Sequence, residues 1–259
     1  MQARIDELWD WDDAAGSEAR FRAEADESAD ERKRRILLTQ VARALGLQGN
    51  YADALALLDS LPREQDPELD VRLVLERGRV LNSSGRGAEA RPLFEEAQVG
   101  ATDAGLEHLA IDALHMAAIV APPEEQLALN EQAIAMAESA NDPRARQWLA
   151  SLYNNIGWTQ FDAGNLDEAL RLFERALQER LTRGQLRETN IARWAVARTH
   201  RAMGKVDQAL AEQQDIQRSN AEAGVHDPYV DEEIAECLVA LGRAEEAQTY
   251  VKRARALSR

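Results

Sequence analysis

The sequence predicts an all-α solenoid of about six stacked antiparallel helix hairpins. Three observations predict it. Five turns share one pattern: "GNYADAL" from Gly49, "GRGAEAR" from Gly85, "GNLDEAL" from Gly164, "GKVDQAL" from Gly204 and "GRAEEAQ" from Gly242. In each, an alanine follows the glycine by five residues (Ala54, Ala90, Ala169, Ala209, Ala247) and a small residue precedes it by seven (Ala42, Gly78, Gly157, Ala197, Ala235). The composition is that of packed helices: 45% hydrophobic, 5% aromatic and 30% charged, with 14 glycines and 7 prolines among 259 residues. No segment sustains the two-residue alternation of a strand, so no sheet is expected.

The turn glycines are 36, 79, 40 and 38 residues apart, so the long interval hides one turn. "EEQLALNEQAI" (124–134) superposes on "DEALRLFERAL" (167–177), with Gln126 where alanine stands elsewhere. Its turn is "APPEE", a shorter connection in which proline suits the first helical turn. Six hairpins follow, at about 17–62, 66–101, 105–140, 143–183, 186–222 and 226–257, within one repeat domain spanning 17–259. Within a hairpin the small residue marks the closest approach of the two helices, and Gly157 is expected to face Ala169. The second helix of that unit carries Leu166, Ala169, Leu170, Phe173, Ala176 and Leu177 as one apolar stripe that only stacked neighbours can cover.

The ends depart from the pattern. Residues 1–16 include "RIDELWDWDD", a helix-compatible stretch with Ile5, Leu8, Trp9 and Trp11 to pack, and are expected to cap the first repeat. The sharper alternative is that they lie in the groove. Ser17 is expected to cap one long helix running through residues 18–45. The "ERKRR" run (31–35) reads as a solvated helix face, with Asp30–Arg34 and Glu31–Arg35 as ion pairs. Lys252, Arg253, Arg255 and Arg259 gather where a helix dipole favours cations. Ala247, Val251, Ala254 and Leu257 form a last stripe and a candidate self-association surface.

Residues 152–177, "LYNNIGWTQFDAGNLDEALRLFERAL", resemble the tetratricopeptide repeat family. Ile156 and Gly157 match its Leu-Gly pair, Ala169 its central alanine, Phe173 its aromatic and Ala176 its late small residue. The aromatic of the first helix is displaced to Phe161, most units lack the closing proline, and the period exceeds the family's usual length of about 34 residues. The resemblance covers about residues 30–257. It implies a right-handed superhelix whose first helices line a concave groove, and recognition of a protein or peptide there.

Charge narrows the partners. With 31 Lys and Arg against 46 Asp and Glu, the net charge of −15 argues against nucleic acid and against an anionic membrane surface. No signal peptide is recognisable, and no apolar run approaches the roughly 18 residues that span a bilayer. With a single cysteine, Cys237, these features predict a soluble, cytoplasmic protein.

Catalytic signals are poor, so no enzyme, cofactor or metal is expected. His108 and His115 share a helix face without a third ligand. Cys237, beside Glu233 and Glu236, reads as a structural thiol. "NSSGRGAE" lacks the Lys-Ser/Thr ending of a phosphate loop.

The groove implied by the resemblance is lined at Arg43, Arg79, Asn82, His115, Asn154, Asn155, Trp158, Trp194, Arg198 and Arg201. Arginine forks suit carboxylates, asparagines suit a peptide backbone, and tryptophans offer large apolar contact. The expected ligand is therefore an extended peptide or helix of a partner protein bearing acidic groups, a free C-terminus included. Glu232, Glu233 and Glu236 would take a basic portion of it. The rival readings are a self-assembling scaffold and a small-ligand-sensing regulatory subunit, with the chain a monomer or weak homodimer.

Overall fold

A computed structural model describes residues 1–63, 66–184 and 186–257, and all regular structure among them is helical. The chain divides into two compact units, Met1–Trp148 and Leu149–Arg259. The first unit contains α1 (Gln2–Leu8), α2 (Ala14–Glu27), α3 (Glu31–Leu47), α4 (Tyr51–Ser60), α5 (Pro67–Ser83), α6 (Gly87–Asp103), α7 (Glu107–Val120), α8 (Pro123–Ser139) and α9 (Pro143–Arg146). The second contains α10 (Leu149–Asp162), α11 (Leu166–Leu181), α12 (Leu186–Ala202), α13 (Val206–Glu222), α14 (Pro228–Ala240) and α15 (Ala244–Leu257). Helices α3/α4, α5/α6 and α7/α8 pair as hairpins in the first unit, and α10/α11, α12/α13 and α14/α15 in the second. We call the first helix of each pair its A helix and the second its B helix.

Local chemistry sets these boundaries. Asp66 accepts from the backbone N–H groups of Glu68 and Leu69 and stands before Pro67, so α5 starts with both a cap and a residue that needs no donor. At the hairpin turns Gly49 and Gly164 adopt φ of 80° and 79°, a left-handed conformation that glycine reaches without a side-chain penalty. The residue after each then donates back five residues, Asn50 to the Leu45 carbonyl and Asn165 to the Gln160 carbonyl, both at 2.9 Å, which satisfies otherwise orphaned groups at the helix end. The third hairpin turns at Ala121 and Pro122 instead, and Gln126 donates to the Ala121 carbonyl at 2.9 Å.

Four details differ from the sequence expectation. The long helix from Ser17 is two helices. Asp13 caps α2, and the chain breaks at Ser28–Asp30, where Ser28 bonds the Asp30 backbone and Asp30 caps α3. Short polar side chains that bond nearby backbone compete with the helix in this way. Ser17 lies inside α2, buried, with its hydroxyl donating to the Asp10 carbonyl at 2.9 Å. Because Asp30 is a cap, the expected Asp30–Arg34 pair is replaced by Glu31, which meets Arg35 at 3.0 Å and Arg34 at 3.7 Å.

The third and fourth differences concern packing. The space left at Gly157 belongs to the ring of Phe173, one turn beyond Ala169. A β-carbon there would come within 2.6 Å of the ring. Gly78 relates to Phe94 in the same manner, at 2.5 Å. Both rings are fully buried. In α15, Ala247 and Ala254 are buried and Val251 half-buried within the last hairpin, while Gln248, Thr249, Lys252 and Arg255 face solvent. These three members of the stripe expected to be open are thus covered by their own hairpin, and the Leu257 side chain lies outside the described residues. Arg253 pairs with Asp231, and Arg259 lies outside the described residues.

Candidate partner-binding faces

The A helices position most of the residues singled out from the sequence. In the first unit, Arg43 on α3 approaches Glu76 on α5 at 4.0 Å, and Arg79, one turn further along α5, donates to both Glu76 and Asp112 of α7. Glu76, Arg79 and Asp112 are all buried. Burial alone would lower the Arg79 guanidinium, but Asp112 and Glu76 outweigh it and hold it above its ordinary value. Burial would likewise raise the Asp112 carboxyl, and Arg79 and Arg43 hold it below the usual carboxylate range. The arginines expected to receive a ligand here are engaged with internal carboxylates.

Asn82 is half-buried at the end of α5, and its Oδ1 lies 3.5 Å from where a side chain on Gly87 would stand. His115 is tilted against the Trp148 ring, centroids 5.2 Å apart. Burial pushes the His115 and His108 imidazoles below their ordinary value, Arg79 adding at the first and Arg72 at the second, while Asp112 and Asp142 respectively oppose it. A histidine depressed on folding leaves the unfolded chain binding more protons. The stability it contributes is full above about pH 6.5 and is lost as pH falls below that, by at most about 1.4 kcal/mol per pH unit for each group. Thermal melts of the first unit are therefore expected to drop between pH 7.5 and pH 5.5. The drop should shrink in a His108→Gln, His115→Gln variant.

The second unit presents a different surface. Trp158 of α10, Trp194 of α12 and Tyr229 of α14 occupy successive A helices. Their rings form a ladder, with centroids 5.9 Å apart in the first step and 6.4 Å in the second. Trp194 Nε1 donates to the Tyr229 carbonyl at 3.1 Å, which fixes the indole on the rim of α14. Beside the ladder lies a cavity of about 590 Å³ walled by Trp158, Ile191, Trp194, Val225, Pro228 and Tyr229, with Asn190, Asn220 and His226 among its polar members. Ile191 is 50% and Tyr229 63% exposed, so apolar surface at the rim faces solvent.

Arg198 lies over Trp194 and Trp158, 5.2 and 5.9 Å from the ring centroids, and donates to Glu233 at 2.8 Å. Arg201 grips the same carboxylate with two bonds, at 2.8 and 3.0 Å. Glu233 is only 2% exposed, so it is an internal counter-charge rather than the acidic ligand contact expected from the sequence. Asn154 and Asn155 line a separate, smaller cavity of about 160 Å³ with Ser151, Glu188 and Ile191. Within the second unit the structure thus gathers Trp158, Trp194, Arg198 and Arg201 and places the two asparagines beside them.

Sequence reasoning missed Glu76 and Asp112, which hold Arg79, assigned Glu233 to the ligand where it holds Arg198 and Arg201, and missed Ile191 and Tyr229, which complete the apolar rim. A signal was present. Each acid follows its arginine by nearly one repeat: Glu76 comes 33 residues after Arg43, Asp112 33 after Arg79 and Glu233 35 after Arg198. Cys237 is buried, and burial pushes its thiol up to about 11, Glu233 and Glu236 adding to the effect against Arg201. Among the described residues no group of three or more His, Cys, Asp or Glu is placed to hold a metal ion, and no helix is long and apolar enough to cross a membrane.

Residues 42–107 and 149–181 each match a family model described as tetratricopeptide repeat. No curated protein matches the chain. Among solved structures, BtubC (BKLC) from P. vanneervenii is similar at 20% identity over 88% of this chain and 93% of that one, with a TM-score of 0.60. A signal transduction ATPase with numerous domains and a tetratricopeptide repeat sensor, from Pyrococcus horikoshii, gives a TM-score of 0.77 at 11% identity. That alignment covers 97% of this chain but 39% of the other. A Rap protein complexed with Competence and Sporulation Factor gives 0.61 at 15% identity, over 98% and 83% of the two chains. At these identities the likeness is one of fold.

Proposed function

Because the chain is a tetratricopeptide repeat protein, we propose that it is a non-catalytic interaction module that binds a peptide or helix of a partner protein on the A-helix face of its second unit. The observation that carries this reading is the apolar cavity beside the Trp158–Trp194–Tyr229 ladder. Exposed apolar surface around a walled pocket is where partners dock, and large aromatic side chains on rigid helices dominate such contacts. A Rap protein of similar fold is complexed with Competence and Sporulation Factor, which is in keeping with the reading. The arginine forks at Arg79 and Arg201 are engaged internally, so apolar anchors rather than carboxylates are the main determinant of the ligand. Arg198, already over the indoles, is the residue placed to add an acidic preference. The setting proposed is the cytoplasm, consistent with a lone buried thiol.

The cavity volume also falls within the range of small-molecule sites, about 300–1,000 Å³, which favours small-ligand sensing as the second reading. Peptides selected from a displayed random library against the whole protein separate the two. Under the proposal they carry large apolar side chains, and Ile191→Asp weakens them at least tenfold, about 1.4 kcal/mol. Because Ile191 is half exposed, the melting temperature should hold. A selection that yields no peptide sensitive to Ile191→Asp or Tyr229→Ala would contradict the reading.

A further inference from the structure

The A-helix face of the first unit is not open, because residues 2–12 of the chain lie on it. Arg72 of α5 donates to the Gln2 side chain at 2.6 Å, and Trp9 Nε1 donates to Gln40 of α3 at 3.1 Å. Trp9 and Trp11 stack in parallel, 4.4 Å apart and 4° from coplanar. The Arg43 guanidinium lies 4.8 Å from the Trp11 ring and 5.6 Å from Trp9. Arg72 and Gln40 are both buried, and the segment completes their hydrogen bonding beside Glu68, which accepts from Arg72, and Thr39, which accepts from Gln40.

The same recognition elements recur in the second unit, where no segment of that unit covers them among the described residues. There Arg198 is set against two indoles of its own A helices and holds Glu233 of the next one, as Arg43 faces two indoles and meets Glu76. In the first unit, however, both indoles come from outside the repeats. A seven-residue helix with no side-chain cap is too short to persist alone in water, so α1 takes its helical form from what it packs on: α2, where Glu24 accepts from Arg4 and Arg20 donates to the Leu8 carbonyl, and the A-helix face beyond it. Trp11 remains 60% exposed while stacked, which leaves an edge from which the segment can be lifted. Ile5 and Leu8 anchor it against Phe21 and Ile36.

We propose that the A-helix face of the first unit is a second binding surface, for a short amphipathic helix followed by a tryptophan pair, and that residues 2–12 are its built-in competitor. A partner segment of that chemistry would displace them, pairing its own indoles with Arg43 and Gln40. This surface is distinct from the aromatic ladder of the second unit, and each can fail without the other.

The test uses the whole chain and, as probe, a fluorescein-labelled synthetic peptide of residues 1–13, followed by anisotropy. Trp9→Ala, Trp11→Ala loosens the resident segment, and the peptide is expected to bind that variant at least tenfold more tightly than the unchanged protein. Adding Arg43→Ala and Gln40→Ala should remove the gain. Hydrogen exchange of the unchanged protein provides a second measurement that needs no variant. Amides of residues 3–8 should exchange at least a hundredfold faster than those of Ile36–Leu45. Equal protection of the two segments, or a folded Trp9→Ala, Trp11→Ala variant that binds the peptide no better, overturns the proposal.

Discussion

A valine at Gly157 is expected to destabilise the second unit by about 3 kcal/mol, the upper end of overpacking costs. Even the first added carbon would lie 2.6 Å from Phe173 Cε1 and 2.8 Å from Cδ1, well inside contact distance. The ring cannot withdraw, because Phe173 is fully buried in a cluster with Ala169 and Ala195. Helix propensity acts in the opposite direction, since glycine inside a helix costs about 1 kcal/mol relative to alanine. The repeats themselves supply the compensating change. Gly78 and Gly157 have phenylalanine sixteen residues on, at Phe94 and Phe173. Ala42, Ala197 and Ala235 have Leu58, Gln213 and Val251 there instead. Gly157→Ala combined with Phe173→Leu should therefore be milder than the sum of the two single changes, by at least about 1 kcal/mol in a double-mutant cycle of urea unfolding. Strict additivity would mean that the glycine is there for some reason other than the ring.

Removing Asp112 is expected to have the largest effect in the first unit. Asp112→Ala leaves the buried Arg79 with one carboxylate instead of two; a buried ion left wholly unpaired costs about 3–5 kcal/mol, and with Glu76 still in place the loss is expected at the lower end, about 3 kcal/mol. Substituting the three buried members together, Glu76→Gln, Arg79→Met and Asp112→Leu, should cost much less, since no buried member of the network is then left charged. The pH dependence has a definite sign. Asp112 is held below the ordinary carboxylate range in the folded protein. Its stabilisation is therefore present above about pH 3.9 and disappears as pH falls through the folded value. Thermal melts of the unchanged protein should fall in acid, and the triple variant should lose that component. An Asp112→Ala protein as stable as its parent would show that the Arg79 network is an exposed, screened pair rather than a buried one.

The hairpins were legible because their determinants are local. A turn glycine, an alanine five residues on and a small residue seven before are fixed by one helix pair and repeat with it. Even the glycine-free turn at Pro122 and Pro123 could be found by superposing the helix that follows. The break at Ser28–Asp30 was obscured because helix-forming residues flank it and the decisive bonds come from two short side chains. The environment of the groove arginines was obscured for another reason. Their partners are contacts between repeats, and with 46 acidic residues in the chain any one acid looks unremarkable until its spacing from an arginine is set against the repeat length. Trp158 and Trp194 were legible because they fall on expected lining positions, one residue after Gly157 and three before Ala197, whereas Ile191 and Tyr229, each six residues before the small residue of its helix, lie outside those positions. The docking of Trp9 and Trp11 onto Arg43 lies outside the repeat altogether, where periodicity is silent.

The central claim is that partners are read on the A-helix face of the second unit. Site-specific photo-crosslinking tests it most directly. A benzophenone amino acid is placed at Ile191, on the rim of the ladder, or at Arg171, on the exposed side of the B helix α11, and a displayed-library peptide is added. Crosslinks from position 191 alone, suppressed by excess unlabelled peptide, are the predicted result. Crosslinking from position 171 with none from 191 would contradict it.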